Sequence, residues 1–590
     1  MSVERTFDLL ERYAGLFNKE DALCFKQNGE WIKYSTSDYI EYSYNFSFGL
    51  LELGFSRGDK IMTVSHNRPE WNFIDVGMAM IGVVHVPVFT SLNSDEYHYV
   101  LTHSDARMLI VSDRKLFRAL KAALSGIERR IDVYSFDEIE EIKSWKEIIE
   151  AGKAASARHR STVEEIKRSV RPDDFASLIY TSGTTGRPKG VKLTHRNMVS
   201  NFLAAASIFN LKQEDKYLSI LPLCHVGGRL GNYQTQYSGT SIYYAESMGT
   251  IASNLQEIQA DGFDAVPRVI EKFYDVIISK GNKLKGVKKS LFFWAVRLGL
   301  KYKPFGENGW FYDQKLKLAD KLIFSKWREA LGGRVRIVGC GGASLQSRLE
   351  RIFWAAGIKI INMYGLTETS PIITINGTEK GKVKLGSVGT SIPGVEVRIA
   401  DDGEILCKGP NVSPGYYKDP ELTRAAYDGE GWFHTGDIGH FEDGKFLMVT
   451  DRKKEIFKLS NGKFIAPQII ENLFKELPMI DQIMVLGEHE KFASALISPN
   501  FRFFDEWKTS RNLSLSDNGE LISLPEIQTL FSSEIERMNR KLNPSERINR
   551  FRLVKDEWTP ATGELSPTLK LRRHFINNKY KSIIDQVYMK

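Results

Sequence analysis

The chain has 590 residues, 42% of them hydrophobic and 26% charged, and carries a formal net charge of +8. These values are typical of an ordinary soluble globular protein with several domains and a core large enough to bury an active site. The excess of basic residues would suit an anionic substrate, a membrane surface or nucleic acid. Because the excess is spread over a long chain, we attribute it to basic residues on a solvated surface.

The four cysteines are far apart in the sequence, and no pair has zinc-ligand or CxxC spacing. This pattern predicts unpaired thiols in a reducing compartment. Residues 1–8 include early acidic residues and no apolar run, so they do not form a signal peptide. The most apolar stretch, residues 76–90, is too short to cross a bilayer and predicts a buried helix followed by a buried strand. We expect a cytoplasmic protein, either free or peripheral to a membrane.

Helical and strand patterns alternate from about residue 38 to residue 113. Residues 61–64 and 108–111 predict buried strands, and the same alternation returns around 218–221, 336–338 and 359–362. Strands interleaved with helices indicate an α/β fold with a doubly wound, mostly parallel sheet.

The pattern changes near Gly386, where short strands and frequent turns predict a small β subdomain over about residues 386–450. After 451–454 the pattern is mixed α+β. We therefore expect a domain boundary near Lys454.

Residues 180–190, with the sequence YTSGTTGRPKG, follow an apolar strand at 176–180. Glycines let the backbone approach an anion, and hydroxyl and backbone N–H groups can donate to phosphates while Lys189 adds charge. The spacing is not that of a Walker A loop, which removes the main support for a kinase, GTPase or motor. The alternative is a flexible surface turn rich in glycine and threonine.

This loop resembles the phosphate-binding signature of the adenylate-forming (AMP-binding) superfamily. The resemblance extends from about residue 7 to residue 588 and is greatest to long-chain fatty acyl-CoA synthetases. It implies a catalytic role and Mg²⁺ binding for Thr184. It also implies nucleotide binding at these residues: Thr181, Ser182, Gly183, Thr184, Thr185, Gly186 and Lys189.

Residues 364–369, YGLTET, resemble the second core motif of the superfamily. A hard carboxylate oxygen suits Mg²⁺, and the resemblance assigns that role, and a catalytic one, to Glu368. An aromatic ring at this position can cover adenine. A capping turn at the start of a helix is the alternative. The resemblance places nucleotide contacts here and in the preceding glycine-rich stretch, at Gly342, Ala343, Tyr364, Gly365 and Thr367.

Three further motifs are similar to those of the superfamily. They imply that Asp437 binds the ribose hydroxyls, that Arg452 contacts ribose and phosphate, and that His225 lies beside the carboxylate pocket. The alternatives are a loop cap for Asp437, a surface charge for Arg452 and a structural histidine for His225.

Lys570 lies in a stretch that resembles the C-terminal lysine motif of long-chain members. The implied role is to bind the carboxylate and the α-phosphate while the acid attacks ATP, which is electrostatic catalysis. Coenzyme A would then take the acyl group and release AMP. The family rotates its C-terminal domain between these steps. The resemblance therefore implies a large N-terminal domain over residues 1–451, a hinge at 452–454 that includes Lys454, and a small, mobile C-terminal domain over 455–590.

The resemblance implies a long-chain fatty acid as the substrate, although the residues fix neither chain length nor oligomeric state. Alternatives are transfer to an acyl-carrier protein, a medium-chain or aromatic acid, or a non-catalytic sensor. Residues 280–303 are basic and aromatic, with no acidic residue, which indicates either a membrane-surface contact or a helix with its apolar face in the core. No nucleic-acid recognition module is present in the sequence.

Overall fold

The computed structural model describes residues 2–181, 188–511, 515, 517–566 and 569–589. The chain divides into two compact units. The first comprises Met1–Ile270, Ile277–Arg398 and Leu406–His434, and the second comprises Glu271–Val276, Ile399–Ile405 and Thr435–Lys590.

The β-strands alternate with helices along most of the chain. In chain order they are β1 (Leu23–Gln27), β2 (Glu30–Tyr34), β3 (Lys60–Val64), β4 (Val84–Val88), β5 (Met108–Val111), β6 (Asp132–Ser135), β7 (Lys143–Ser144), β8 (Phe175–Thr181), β9 (Lys189–Thr194), β10 (Lys216–Ser219), β11 (Ser241–Tyr244), β12 (Gly262–Ala265), β13 (Ile337–Cys340), β14 (Lys359–Gly365), β15 (Ile372–Ile375), β16 (Thr390–Ser391), β17 (Glu396–Ile399), β18 (Glu404–Lys408), β19 (Phe433–Glu442), β20 (Phe446–Arg452), β21 (Phe457–Lys458), β22 (Phe464–Ile465), β23 (Ile480–Leu486), β24 (Ser494–Pro499) and β25 (Arg550–Leu553).

The α-helices are α1 (Asp8–Leu16), α2 (Thr36–Glu52), α3 (Pro69–Met80), α4 (Ser94–Ser104), α5 (Arg114–Leu124), α6 (Trp145–Ser169), α7 (His195–Phe209), α8 (Val226–Tyr237), α9 (Ile251–Ile258), α10 (Pro267–Asn282), α11 (Gly286–Gly299), α12 (Trp310–Ala319), α13 (Ser325–Glu329), α14 (Ser347–Ala355), α15 (Pro420–Ala426), α16 (Pro467–Phe474), α17 (Phe501–Ser510), α18 (Asn518–Ser523), α19 (Pro525–Asn539), α20 (Arg573–Lys579) and α21 (Lys581–Tyr588). Short 3₁₀ turns occur at Pro304–Gly306 and Thr367–Thr369, and a π-helical turn at Asp320–Phe324.

Two mostly parallel sheets organise the first unit. One has the strand order β7-β6-β5-β3-β4-β8-β9, in which only the β8–β9 pair is antiparallel. The other has the order β16-β15-β14-β13-β12-β10-β11-β1-β2, with antiparallel pairs at both ends. The predicted doubly wound α/β class is confirmed, and the predicted helix-then-strand at 76–90 corresponds to α3 and β4.

The second unit has its own apolar core and a different character. Strands β23, β24 and β25 form a mixed sheet, and Ile483, Ile497 and Phe531 are fully buried beside it. A small hairpin, β21–β22, precedes this sheet. Strands β17, β18, β19 and β20 form a further sheet in that order. The expected α+β pattern after residue 454 is therefore present.

Local sequence explains where several helices begin. Helix α2 starts with a capping box in which Ser35 and Asp38 satisfy each other's backbone N–H groups, and α7 starts the same way with Thr194 and Asn197. Helix α3 has Pro69 at its first position, where a missing N–H costs nothing. Across the described ranges, no helix combines the length and apolarity needed to cross a bilayer.

Helices α2 and α6 cross closely because both carry glycine at the crossing. A Cβ atom on Gly152 would lie 1.8 Å from the carbonyl oxygen of Asn45, and one on Gly49 would lie 2.1 Å from that of Ile148. Any larger residue would separate the helices and open the core beneath α3, where Trp71, Phe73 and Ile148 are buried.

A buried polar network joins α3, α8, β4 and β8 inside the first unit. Asp75 accepts hydrogen bonds from Arg229 and Tyr233, and its Oδ1 lies 2.6 Å from Nδ1 of His85. Arg229 also donates to Ser177 Oγ at 2.5 Å. These side chains are essentially inaccessible to solvent, so their charges depend on one another rather than on water.

Burial alone would raise the pKa of Asp75, but the Arg229 guanidinium and His85 hold the pKa below its usual value. Burial lowers the pKa of His85, against the opposing effect of Asp75. The network therefore contains an Asp75–Arg229 ion pair beside a neutral imidazole.

We predict that Arg229→Met destabilises the protein by about 3–5 kcal/mol, because it leaves the Asp75 carboxylate buried without its cation. The midpoint of thermal unfolding of the intact chain should fall by several degrees. Combining it with Asp75→Asn should recover part of the loss, since no unpaired charge then remains.

The matched control is Lys146→Met, which breaks an ion pair with Glu138 whose partners are 62% and 80% exposed. That change should move stability by less than about 1 kcal/mol. Equal effects of the buried and exposed changes would contradict the importance assigned to the network.

Candidate active site

The two strands that flank the phosphate loop form a hairpin. Strand β8 pairs antiparallel with β9, and Thr181 lies opposite Lys189. This pair lies at the end of the hairpin that is next to the connecting loop. The predicted loop residues Ser182, Gly183, Thr184, Thr185 and Gly186 lie outside the described residues. The hairpin nevertheless places Thr181 and Lys189 next to each other where the chain leaves β8, at the carboxyl end of a sheet strand.

Tyr416 connects Lys189 to Glu368. It forms a β-bridge with Val191, two residues after Lys189, and the Lys189 Nζ lies 5.6 Å from the centre of its ring. Its hydroxyl donates to Glu368 Oε1 at 2.8 Å. Burial and the Glu368 carboxylate raise the pKa of Tyr416 well above its usual value, so the phenol remains a hydrogen-bond donor.

The backbone around Glu368 is fixed by tight packing. Glu368 lies in the 3₁₀ turn after β14, and its carbonyl oxygen accepts from the N–H of Ser413 at 2.8 Å. Gly365 has no room for a side chain, since a Cβ would lie 1.7 Å from the carbonyl oxygen of Pro371. Tyr364 and Thr367, on either side of Gly365, are half-buried.

The glycine-rich stretch and the Glu368 motif emerge at the same edge of one sheet. Strands β13 and β14 are parallel neighbours, with Cys340 opposite Asn362. Gly342 and Ala343 follow β13 and are exposed, and Gly342 has a φ of +83°, a conformation that glycine adopts easily. The structure thus brings the predicted nucleotide residues of both motifs to one edge.

His225 caps the N-terminus of α8. Its Nδ1 accepts a hydrogen bond from the N–H of Gly227 at 3.0 Å, which places the proton of a neutral ring on Nε2. The ring is half-buried and lies 6.2 Å from the ring of Phe89. His225 therefore has a structural role and presents one N–H donor, so both interpretations of this residue stay open.

A small cavity of about 10 Å³, enough for roughly one water molecule, lies beside α8, the helix that His225 caps. Gly228 and Gly231 line it from α8, and Tyr217 and Asp264 line it from β10 and β12. The Tyr217 hydroxyl donates to Asp264 at 3.0 Å, and burial raises the pKa of Asp264 to about 7. Sequence reasoning missed Asp264, because a lone aspartate in a short apolar strand carries no recognisable motif.

The two residues predicted to bind ribose face each other in the second unit. Asp437 on β19 lies opposite Arg452 on β20, with 3.2 Å between Asp437 Oδ1 and Arg452 Nε. The Asp437 side chain is only 6% exposed. A carboxylate has enough lone pairs to accept both from this arginine and from two hydroxyls, so the pair is compatible with the predicted ribose contact.

Lys453, at the predicted hinge, is held by two carboxylates. Its Nζ lies 2.6 Å from Asp402 and 2.8 Å from Glu404. The next residue, Lys454, lies in an exposed turn. One lysine is therefore anchored to the small sheet while its neighbour faces solvent.

The exposed Lys570 lies on a turn closed by a bridge between Leu565 and Leu571. Its N–H donates to Ser566 Oγ at 3.1 Å, and its carbonyl accepts from the Ser566 N–H at 2.8 Å. Glu564, fully buried, accepts from Tyr580 at 3.0 Å and anchors the start of the motif.

A second anchor follows Lys570. Arg573 Nη2 lies 2.8 Å from the buried Glu471, and its Nε lies 3.0 Å from Glu455. Burial alone would lower the pKa of Arg573, but the two carboxylates raise it above its usual value. The guanidinium is therefore charged. The sequence analysis gave this arginine no individual role.

Comparison with known proteins agrees with this arrangement. A family model described as AMP-binding enzyme matches residues 10–417, and one described as AMP-binding enzyme C-terminal domain matches residues 454–590. The chain belongs to the AMP-binding enzyme family. The predicted membership of this superfamily is confirmed, and family membership supports an adenylate-forming ligase.

Curated relatives match over nearly the whole chain. The chain is 31% identical over 574 residues to the long-chain-fatty-acid–CoA ligase FadD15 of Mycobacterium bovis. The aligned region covers 95% of this chain and 93% of that ligase. The chain is 30% identical over 570 residues to the peroxisomal long chain acyl-CoA synthetase 7 of Arabidopsis thaliana, covering 92% of this chain and 79% of that one.

Solved structures share the fold at lower identity. The AMP-bound A domain of a carboxylic acid reductase from Segniliparus rugosus matches with a TM-score of 0.75 and 20% identity, covering 99% of this chain and 94% of that one. A fatty acyl CoA synthetase from Mycobacterium tuberculosis matches with a TM-score of 0.61 and 19% identity, covering 98% and 99%.

We predict that Tyr416→Phe lowers the rate of adenylate formation by about tenfold or more, because a hydrogen bond to a charged group is worth about 1.5–3 kcal/mol. Pyrophosphate release, measured with saturating acid and varied ATP, reports the change. The fold should be unaffected, since the ring and its packing remain.

Tyr417→Phe is the matched control, because the Tyr417 hydroxyl also donates to a carboxylate, that of Asp105, at 3.0 Å. This neighbouring change should leave the rate within about twofold of wild type, since that hydrogen bond is exposed. If both variants lose activity equally, Tyr416 has no special part in placing Glu368.

Proposed function

We propose that the protein is an ATP-dependent long-chain fatty acid–CoA ligase that forms an acyl-adenylate and then an acyl-CoA. The observation that carries the proposal is the placement of Lys189 and Glu368 on either side of Tyr416. A cation and a carboxylate at the mouth of a glycine-rich hairpin suit a metal-bound polyphosphate. The long-chain acid is supported by the names of curated relatives about 30% identical over nearly the full length.

In the first half-reaction, the acid's carboxylate attacks the α-phosphorus of ATP and pyrophosphate leaves. Lys189, together with the predicted loop donors, binds the phosphates and offsets their charge. Asp437 accepts hydrogen bonds from the ribose hydroxyls, Arg452 contacts the ribose and phosphate, and Tyr364 covers the adenine. These groups fix the nucleotide so that the attacking oxygen is already aligned.

Glu368 suits a magnesium ion. One of its carboxylate oxygens accepts from Tyr416, and a single protein carboxylate combined with phosphate oxygens is a usual way for proteins to hold Mg²⁺. Among the described residues, no group of three or more His, Cys, Asp or Glu side chains forms a metal cage, so the phosphates would supply the other ligands. Thr184 is the second protein ligand that we propose. When bound, Mg²⁺ would offset the negative charge of the phosphates.

We propose that the carboxylate of the acid lies beside His225. The ring caps the start of α8 through Nδ1, so Nε2 is the nitrogen that can donate to the carboxylate. The cavity along α8 has a volume of about 10 Å³, which is too small for an acyl chain, so the acyl chain is not assigned to it.

Pyrophosphate release, measured with acids of different chain length and with and without CoA, tests the function directly. We expect pyrophosphate release with palmitate well above that with octanoate or benzoate, and thioester formation when CoA is added. Release without thioester formation would favour an acyl-carrier protein as acceptor. Preference for octanoate or benzoate would favour the medium-chain or aromatic alternative. No release with any acid would favour a non-catalytic sensor.

We further propose that residues 1–451 and 455–590 act as domains joined by a hinge at 452–454, and that Lys570 serves only the first half-reaction. The anchored turn that carries Lys570 can move as a unit, because Glu564 and Arg573 hold both of its ends. In this scheme the second domain changes position before CoA attacks the acyl carbon.

We predict that Lys570→Ala lowers adenylate formation by about 100-fold or more, the usual effect of removing a preorganised stabilising group. Thioester formation from supplied acyl-adenylate should stay close to wild type. Lys581→Ala, an exposed lysine that pairs only with Asp585 four residues on, is the matched control and should change neither step. Equal loss of both half-reactions in Lys570→Ala would contradict the two-position scheme.

A further inference from the structure

The positive charge of the chain is concentrated in one segment. Residues 283–322 contain ten lysine or arginine residues and three acidic ones, a net charge of +7, while the whole chain has a net charge of +8. This segment forms α11, the 3₁₀ turn at Pro304–Gly306, α12 and most of the following π-helical turn. The net positive charge, which is mild for a chain of this length, is therefore concentrated in residues 283–322.

The aromatic residues of α11 do not form the exposed part of this segment. Phe292, Ala295 and Val296 are buried, and the Phe292 ring lies 6.2 Å from that of Trp327. For residues 280–303 the core-packing alternative therefore describes the apolar face. What α11 exposes is its first turn, where Lys285, Lys288 and Lys289 surround Val287, which is 82% exposed.

The exposed apolar residues lie on the next helix. Phe311 is 78% exposed, Leu318 49% and Leu322 36%, and they follow the spacing i, i+7, i+11 along one helical face. Trp310, at the start of α12, is 66% exposed. Lys315 flanks this apolar stripe on one side, and Lys317 and Lys321 flank it on the other; all three are exposed.

The opposite face of α12 is docked on the protein, so the stripe belongs to a folded helix. Ala319 is fully buried, and the Tyr312 hydroxyl donates to the carbonyl of Leu298 on α11 at 2.8 Å. Asp320 points to this inner side and pairs with Arg328. Exposed phenylalanine and tryptophan on a helix fixed in this way cost solvation energy unless another apolar phase covers them.

We propose that α12 binds the surface of an anionic lipid bilayer, with Trp310, Phe311, Leu318 and Leu322 inserted among the acyl chains. Lysines on both flanks match the phosphates of lipid headgroups, to which they can extend from a shallowly inserted helix. A protein partner fits less well, since lysine is depleted at protein–protein interfaces. The lysines at the start of α11 add to the attraction.

Flotation with liposomes tests this surface, using vesicles of phosphatidylcholine with phosphatidylglycerol and vesicles of phosphatidylcholine alone. The wild-type protein should float with the anionic vesicles and much less with the neutral ones. The apolar variant Trp310→Ser, Phe311→Ser, Leu318→Ser should partition at least about tenfold less, because burial of a single large apolar side chain already contributes more than that factor.

The control variant Leu16→Ser, Leu53→Ser, Met248→Ser removes three apolar side chains that are 55%, 38% and 56% exposed in the same unit, and it should float like wild type. Two charge variants separate the helices: Lys315, Lys317 and Lys321 to Gln on α12, and Lys283, Lys285, Lys288 and Lys289 to Gln on α11. Both should float less with anionic vesicles and become less sensitive to salt.

Wild-type flotation unchanged by the apolar variant would overturn the proposal, as would equal flotation with neutral and anionic vesicles or none with either. A midpoint of thermal unfolding close to that of wild type checks that each variant is folded. The binding experiment contains no ATP, fatty acid or CoA, so its failure leaves the proposed ligase activity intact, and loss of the ligase proposal leaves the lipid surface intact.

Discussion

The Asp75–Arg229 ion pair is the interaction on which the rest of the first unit depends. Removing two charges from water costs several kcal/mol each, and only close pairing with further hydrogen bonds compensates for it. Here Tyr233, His85 and Ser177 provide those bonds. Because the participants come from α3, α8, β4 and β8, each of these elements has one position in which the charges are satisfied.

The same arginine links two elements of the proposed mechanism. Arg229 is four residues after His225 on the helix that His225 caps. Ser177 is four residues before Thr181 on the strand that precedes the predicted phosphate loop. Because Arg229 donates to Ser177, one buried cation joins the helix that carries the proposed carboxylate contact to the strand that precedes the predicted phosphate donors.

The sequence predicts those features that follow a regular hydropathy pattern or a recognisable motif. The apolar run 108–111 corresponds to β5 in full, because a strand buried on both faces needs an uninterrupted apolar sequence. The strand expected at 218–221 is instead Lys216–Ser219, since pairing with β11 and β12, rather than hydropathy, sets its ends. Partners distant in sequence are harder to foresee. Tyr416 is 48 residues from Glu368, and no local pattern indicates that its hydroxyl donates there.

Residues 280–322 show the same limit of prediction from sequence. Amphipathic spacing identifies α11 as a helix with an apolar face, but the sequence does not say whether that face meets protein or lipid. The answer depends on α12, which packs against α11 through Tyr312 and leaves its own stripe outward.

The proposed mechanism divides its charges between the two units, and each unit orders its own share locally. Tyr416 holds Glu368 near Lys189 in the first unit, while Arg452 holds Asp437, and Glu564 and Arg573 hold the Lys570 turn, in the second. Groups that are ordered before substrate binds lose little entropy when it does.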